Sequence, residues 1–253
     1  MTLSSTLFAV LLLLLGASLS INVYLVLKLR EVYLQRQFIA LDPFNKSSFP
    51  EHFRKSFDAN TSSTRVVIFG DSRAGEWKTP PDDDEFQFQT RGIGGNTSTQ
   101  VVGRFDLHVE PLNPDVIVLQ LGVNDLKTIP FVPESKEHII SWCRNNISSV
   151  VEKSRTHGYH VILTTLFPLG DVPLYRRRFG STEVQQCITE VNRFLRDTYS
   201  SQITILDTEK LLADKNGVVR RAYAMDLVHI NERGYALING ALMELLSTYR
   251  RSL

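Results

Sequence analysis

From Thr64 onward, short apolar runs alternate with longer segments in which apolar residues recur every three or four positions. The short runs are RVVIFG (65–70), FQFQTRGI (86–93), DVIVLQLG (115–122), HVILTTLF (160–167) and ITILD (203–207). The second alternates apolar and polar residues. The other four are nearly continuous, the pattern of strands buried on both faces. Helical periodicity marks TSTQVVGRFDLHVEPL after the second run, PESKEHIISWCRNNISSVVEKSRTHG after the third and STEVQQCITEVNRFLRDTYSS after the fourth. Gly158 is a plausible C-cap for the second of these. INERGYALINGALMELLSTYR closes the pattern, with apolar residues at Tyr235, Ile238, Leu242 and Leu245–Leu246. Five strands alternating with helices predict an α/β doubly wound sheet. Such sheets bind ligands at the carboxyl ends of their strands.

The N-terminal pattern is different. Leu7 to Leu27 reads LFAVLLLLLGASLSINVYLVL without a charged residue. At ~1.5 Å per residue it spans ~30 Å, the hydrocarbon thickness of a bilayer. A cleaved signal peptide would need a basic n-region and a small-x-small site. MTLSST carries no Lys or Arg, and Ser18-Leu19-Ser20 is a weak site. The span length favours an uncleaved transmembrane anchor, with a signal segment as the alternative. Lys28, Arg30 and Arg36 follow the span, and positive-inside bias then favours a cytoplasmic C-terminal side, opposed only by the α-amine. The membrane side stays open. LKLREVYLQRQF could continue the helix, and the Ser-, Asn- and Pro-containing stretch after it reads as a linker. The organisation expected is an anchor or signal segment over 1–30, a juxtamembrane stalk over 31–63 and one α/β domain over 64–253.

Composition excludes several classes. The 28 basic and 27 acidic residues give a formal charge of +1, unlike a protein that binds nucleic acid by neutralising phosphates. Two cysteines, Cys143 and Cys187, rule out a disulfide framework and a Cys-rich zinc site. They could form one bridge or none. Scattered histidines (His52, His108, His138, His157, His160) lack partners at zinc-ligand spacing. No metal and no cofactor is expected.

The strand ends carry the candidate chemistry. The first run ends in Gly70-Asp71-Ser72-Arg73-Ala74-Gly75. Ser72 reads either as a helix N-cap or as a nucleophile at a helix N-terminus, where N–H groups can stabilise an oxyanion. The spacing matches neither a G-x-S-x-G elbow nor a nucleotide-binding glycine loop. The second run ends in Arg91-Gly92-Ile93-Gly94-Gly95-Asn96-Thr97, a close backbone approach or a capped turn. The third ends in Gly122-Val123-Asn124-Asp125, where the Asn124 amide suits an oxyanion donor or an Asx turn. Near the C-terminus, Asp226-Leu227-Val228-His229 puts a carboxylate three residues before an imidazole. That pair can hold a base for a serine, or can be a surface His beside a capping Asn231. Each motif alone is weak. Together, three sit at successive strand ends and the fourth supplies the base the serine lacks.

These four blocks resemble the SGNH (GDSL-type) serine hydrolases. Gly70-Asp71-Ser72 looks like the first block and Gly92-Ile93-Gly94-Gly95-Asn96-Thr97 like the second. Gly122-Val123-Asn124-Asp125 matches the G-x-N-D of the third. Asp226 to His229, through Asn231 and Gly234-Tyr235, matches the fifth. The resemblance covers about residues 64–250. It implies a three-layer α/β sandwich with a central five-stranded parallel sheet, flavodoxin-like. By position, Ser72 would be the nucleophile, His229 the base and Asp226 its orienter. The N–H groups of Ser72 and Gly95 and the Asn124 side chain would form the oxyanion hole. Arg73, Gly94, Asn96 and Ile230 depart from common family residues without removing a catalytic group.

The implied activity is a membrane-anchored serine esterase or deacylase acting on small-molecule or polysaccharide-linked acyl esters. Lipid or acyl-thioester substrates and a non-catalytic scaffold are the alternatives. No nucleic-acid partner is expected. Asn45, Asn60, Asn96 and Asn146 open N-x-S/T sequons, with Asn96 inside the expected site. Arg176-Arg177-Arg178, Trp77 and Tyr175 are candidate substrate-facing residues, each with surface or core packing as the simpler role.

Overall fold

The apolar runs form strands because β-branched and aromatic residues pack well on both faces of a pleated sheet. The computed structural model describes residues 3–44, 56–58, 61–80, 84–171 and 181–252. Five strands form: β1 (Thr64–Gly70), β2 (Phe86–Gly92), β3 (Val116–Gln120), β4 (His160–Thr164) and β5 (Thr204–Leu206). All pair in parallel in the order β2-β1-β3-β4-β5. This is the flavodoxin-like order, and it reverses direction between β1 and β3. The expected α/β sandwich with a five-stranded parallel sheet is therefore the fold found.

Strand periodicity of two divides the core. Val67, Phe69, Ile117, Leu119, Val161 and Leu163 face one layer, whose helices are α3 (Ser98–Gly103), α4 (Phe105–His108), α6 (Lys136–Thr156) and α7 (Ser181–Tyr199). Val66, Ile68, Val116, Val118 and Ile162 face the other, covered by α9 (Glu232–Arg251) through Ile238, Leu242 and Leu246. That i, i+4, i+8 stripe is fully buried, and each such side chain contributes about 1.5–3 kcal/mol over an exposed one. Short helices α2 (Ser72–Gly75), α5 (Val123–Leu126) and α8 (Thr208–Leu212) follow β1, β3 and β5.

Local signals behave as their chemistry requires. Gly158 follows the α6 C-cap residue His157 with φ +79°, in the left-handed region, and its N–H donates to the Arg155 carbonyl at 2.9 Å. Asn231 caps α9, its side chain accepting from the Gly234 N–H at 3.1 Å. The single helix expected over 97–112 is broken instead into α3, α4 and a 3₁₀ turn (Glu110–Leu112). Gly103 ends the first piece, Arg104 leaves helical geometry with φ −110° and ψ 6°, and Pro111 lies in the last turn. Cys143 and Cys187 are both buried and free.

One close approach fixes the start of α2. A Cβ on Gly92 would lie 1.9 Å from the Gly75 nitrogen. Only glycine at the end of β2 lets the backbone of α2 sit this close.

Two compact units divide the chain, Met1–Ser48 and Phe49–Leu253. In the first, α1 (Leu3–Leu41) is a 39-residue helix. Its stretch from Thr6 to Leu41 is long and apolar enough to cross a membrane, and it buries none of its most apolar window. The helix thus runs on through LKLREVYLQRQF, as its sequence suggests. In the second unit, Phe57 packs on the core and the Asp58 N–H donates to Gln87 Oε1 at 2.7 Å. Residues just before β1 therefore already belong to the sheet domain by contact. Asn45, His52, Asn60, Tyr175 and the Arg176–Arg178 run lie outside the described residues.

Candidate active site

The ends of β1, β2 and β3 and the loop before α9 converge. His229 Nε2 lies 3.0 Å from Ser72 Oγ, and His229 Nδ1 lies 2.9 Å from Asp226 Oδ2. An ionised carboxylate only accepts, so Nδ1 carries the proton and donates to Asp226. Nε2 is then left to accept the Ser72 hydroxyl proton. The three-residue Asp-to-His spacing works because the loop is tight. Asp226 Oδ1 accepts from the N–H groups of Val228 (2.7 Å) and His229 (2.8 Å), and the Met225 N–H donates to the His229 carbonyl at 3.0 Å. Burial by itself would raise the Asp226 pKa. The hydrogen bonds from the His229 ring and from these two N–H groups outweigh it, and the carboxyl is held below its ordinary value.

The expected oxyanion donors are also near one another in the fold. Ser72 opens α2, and among the described residues neither its N–H nor that of Gly95 has an acceptor. Gly95 takes φ +75°, which glycine reaches without strain. Asn124, in α5 beyond β3, is 4% exposed and donates one amide hydrogen to the Asn96 carbonyl at 2.8 Å. That bond ties the third block to the second and, among the described residues, leaves the other amide hydrogen uncommitted. Asp125 clamps the same region, accepting from the Ser98 N–H (2.8 Å) and Ser98 Oγ (2.7 Å). Burial nevertheless raises its pKa.

Two buried arginines are what the motif reading missed. Arg73, in sequence only a departure from the common family pattern, is fully buried beside the Phe167 ring. Its guanidinium donates to the carbonyls of Val228 (2.7 Å), Phe167 (2.8 Å) and Pro168 (3.5 Å). It thereby joins the Ser72 turn to the His229 loop and to the segment after β4. Arg104 is equally buried and donates to Asn96 Oδ1 (2.7 Å) and to the Arg91 (2.8 Å) and Gly70 carbonyls. It knits the ends of β1 and β2. Burial pulls the Arg73 pKa down to about 10 and that of Arg104 to about 9, so both stay cationic at neutral pH. The local sequence carries no signal for this, because Asp71, Ser72 and Glu76 make the turn polar and the acceptors of Arg73 lie 94 to 155 residues away.

Other candidates fall outside the chemistry. Trp77 is core, packed between Phe167 and Tyr235, with its Nε1–H donating to Asn239 Oδ1 at 2.8 Å. Asn96 is buried under Arg104, and Asn146 Nδ2 donates to Ser98 Oγ at 2.9 Å, so neither sequon side chain is free. A cavity of about 550 Å³ beside Leu169, Gln185 and Arg193 is lined by none of Ser72, Asp226 and His229.

Asp71 adds a pH response. It is fully buried, and one oxygen accepts from the Arg73 N–H at 2.9 Å while the other has no partner among the described residues. Burial raises its pKa to about 6, opposed by the positive charge of Arg73 and its N–H. A carboxyl raised on folding binds more protons folded than unfolded, so its stabilisation is full below the unfolded value and lost as pH rises to the folded one. Relative to Asp71→Asn, which keeps the acceptor oxygen, the wild-type protein should lose thermal stability between about pH 4 and pH 6. Paired melts across that range test this, and parallel curves would refute it.

Comparisons with known proteins point one way. A curated relative, platelet-activating factor acetylhydrolase IB subunit alpha2 of Homo sapiens, is 25% identical over 160 residues, 61% of this chain. The chain spans 62% of the length of that relative. Among solved structures, a GDSL-like lipase from Bacteroides thetaiotaomicron superposes with a TM-score of 0.58 at 23% identity, covering 74% of this chain and 89% of that one. A catalytic mutant of an acetylxylan esterase from Geobacillus stearothermophilus gives 0.53 at 16% identity, with 74% and 95% covered. These structural likenesses show a shared fold. The sequence model of the GDSL-like lipase/acylhydrolase family matches residues 69–237, which contain every strand-end block and the Asp226–His229 loop. This protein belongs to the GDSL-like lipase/acylhydrolase family.

Proposed function

We propose that the chain is a serine esterase that hydrolyses carboxylic esters through Ser72, His229 and Asp226, held at a membrane by α1. The observation that carries this reading is the unbroken Ser72–His229–Asp226 hydrogen-bond chain at 3.0 and 2.9 Å.

The steps follow from the residues. Ser72 Oγ attacks the ester carbonyl while its proton passes to His229 Nε2. Asp226 keeps the imidazole oriented and stabilises the imidazolium. Negative charge develops on the carbonyl oxygen, facing the free N–H groups of Ser72 and Gly95 and the second amide hydrogen of Asn124. Donors already in place need little reorganisation, which is where most of the rate gain arises. His229 then returns the proton to the alcohol oxygen as the C–O bond breaks. A water, deprotonated by the same nitrogen, releases the acyl group and restores Ser72.

The substrate proposed is a small acyl ester on a small molecule or on a carbohydrate. The relatives support this class: one is named an acetylhydrolase and one an acetylxylan esterase. The anchor reading rests on the length and apolarity of α1. After alkaline carbonate extraction the intact chain should stay with the membrane pellet; recovery of a soluble form starting after Ser20 would favour a cleaved signal instead.

The catalytic reading predicts labelling by a fluorophosphonate probe and hydrolysis of a short chromogenic acetate, both abolished in Ser72→Ala. Folded wild-type protein that does neither would favour a scaffold. Asn124→Ala should lower kcat on the acetate about 100- to 1,000-fold, the cost of one oxyanion donor. An unchanged kcat would remove Asn124 from the site.

A further inference from the structure

Glu76 lies four residues beyond Ser72, and its N–H donates to the Ser72 carbonyl at 2.8 Å. That spacing on one helical turn sets the two side chains on the same face. The carboxylate accordingly reaches the catalytic cluster: Glu76 Oε1 is 3.7 Å from His229 Nε2, the nitrogen that also meets Ser72 Oγ. The Glu76 side chain is 44% exposed, and this imidazole is its only ionic contact among the described residues. The nearby Arg73 guanidinium is turned inward and committed to three carbonyls. Among the described residues, this carboxylate thus stands at the rim without a cationic side-chain partner other than the imidazole.

Its side of the site is decided by the chemistry. Nε2 has to deliver its proton to the oxygen of the departing alcohol. A group beside Nε2 therefore faces the alcohol half of the ester, whereas the acyl half leads away from the base. We infer that Glu76 selects substrates by the charge of the alcohol portion, favouring esters that carry an ammonium group a few bonds from the leaving atom. This deepens the esterase reading and rests on it. A different role, general stabilisation of the His229 imidazolium, would act on every ester alike, because it belongs to the base and not to the substrate.

A matched pair of esters separates these roles. Acetylthiocholine and its uncharged isostere 3,3-dimethylbutyl thioacetate share the acetyl group, the leaving sulfur and the shape, and both are followed by thiol release. The full chain in a neutral detergent is assayed as wild type, Glu76→Gln and Ser72→Ala. The quantity read is the ratio of kcat/KM for the cationic to the neutral substrate, which is independent of the active fraction of each preparation. Glu76→Gln should lower this ratio about fivefold, the size expected of one solvent-exposed charge pair at contact distance. Added salt should lower the wild-type ratio and leave the variant ratio flat. An unchanged ratio with both substrates still turned over would overturn the inference. An equal loss on both would do the same and assign Glu76 to the imidazolium. If wild type showed no Ser72-dependent turnover of either substrate, the esterase reading would fall, and this inference with it.

Discussion

The buried guanidinium of Arg73 is the constraint on which the site depends. It follows the candidate nucleophile directly, and it donates to carbonyls of the His229 loop and of the segment after β4. Taking a guanidinium out of water costs several kcal/mol unless its donors are met. Hydrogen bonds from a charged group return about 1.5–3 kcal/mol each, so the burial is tolerable only while the carbonyls stay in place. The consequence is geometric. Segments more than 150 residues apart in sequence, Arg73 and Val228, are locked together, and the separation of Ser72 and His229 is set by that lock. Tyr235 reinforces it from α9, its hydroxyl donating to the Arg73 carbonyl at 2.9 Å. Arg104 acts in the same way on the neighbouring strand, fixing the glycine turn of β2 against the end of β1.

Three carboxylates around this scaffold differ by environment alone. Asp71 is sealed in, has one oxygen without a partner among the described residues, and is pushed toward the neutral form. Asp226 receives three hydrogen bonds, which hold it toward the ionised form. Glu76 is half exposed, and among the described residues its one ionic contact is the imidazole. The same functional group is thus a buried cap, a hydrogen-bonded partner of an imidazole and a rim charge, with the local dielectric and donor count deciding which.

Much of the fold was legible because its causes are local. Near-continuous β-branched runs separated by helical stripes specify a parallel α/β sheet, and each of the five runs is a strand within a few residues. The broken helix over 97–112 was less legible. Its apolar spacing is helical, but Gly103, the inward turn of Arg104 and Pro111 each interrupt the backbone, and the pull on Arg104 comes from carbonyls on other strands. The candidate site residues were legible as short blocks, since Ser72, Gly95 and Asn124 sit where strands end. Arg73 was not, because a single arginine after a serine carries no signal until its distant acceptors are known. Glu76 was invisible for the same reason: its neighbour His229 approaches from the other end of the chain.

The sequence by itself determined the apolar span, the strand and helix periods, the glycines at the turns and the identity of the groups able to do acyl chemistry. These follow from residue size, branching and polarity over short windows. Only the tertiary structure decided which of those groups meet. The strand order brings β1 between β2 and β3, and the buried arginines hold the loops. The close approach of Gly92 to Gly75 aims α2, so that a serine, an imidazole and a carboxylate from opposite ends of the domain fall within hydrogen-bond reach. Long-range contacts of this kind depend on packing of the whole core, which no short stretch of the chain encodes.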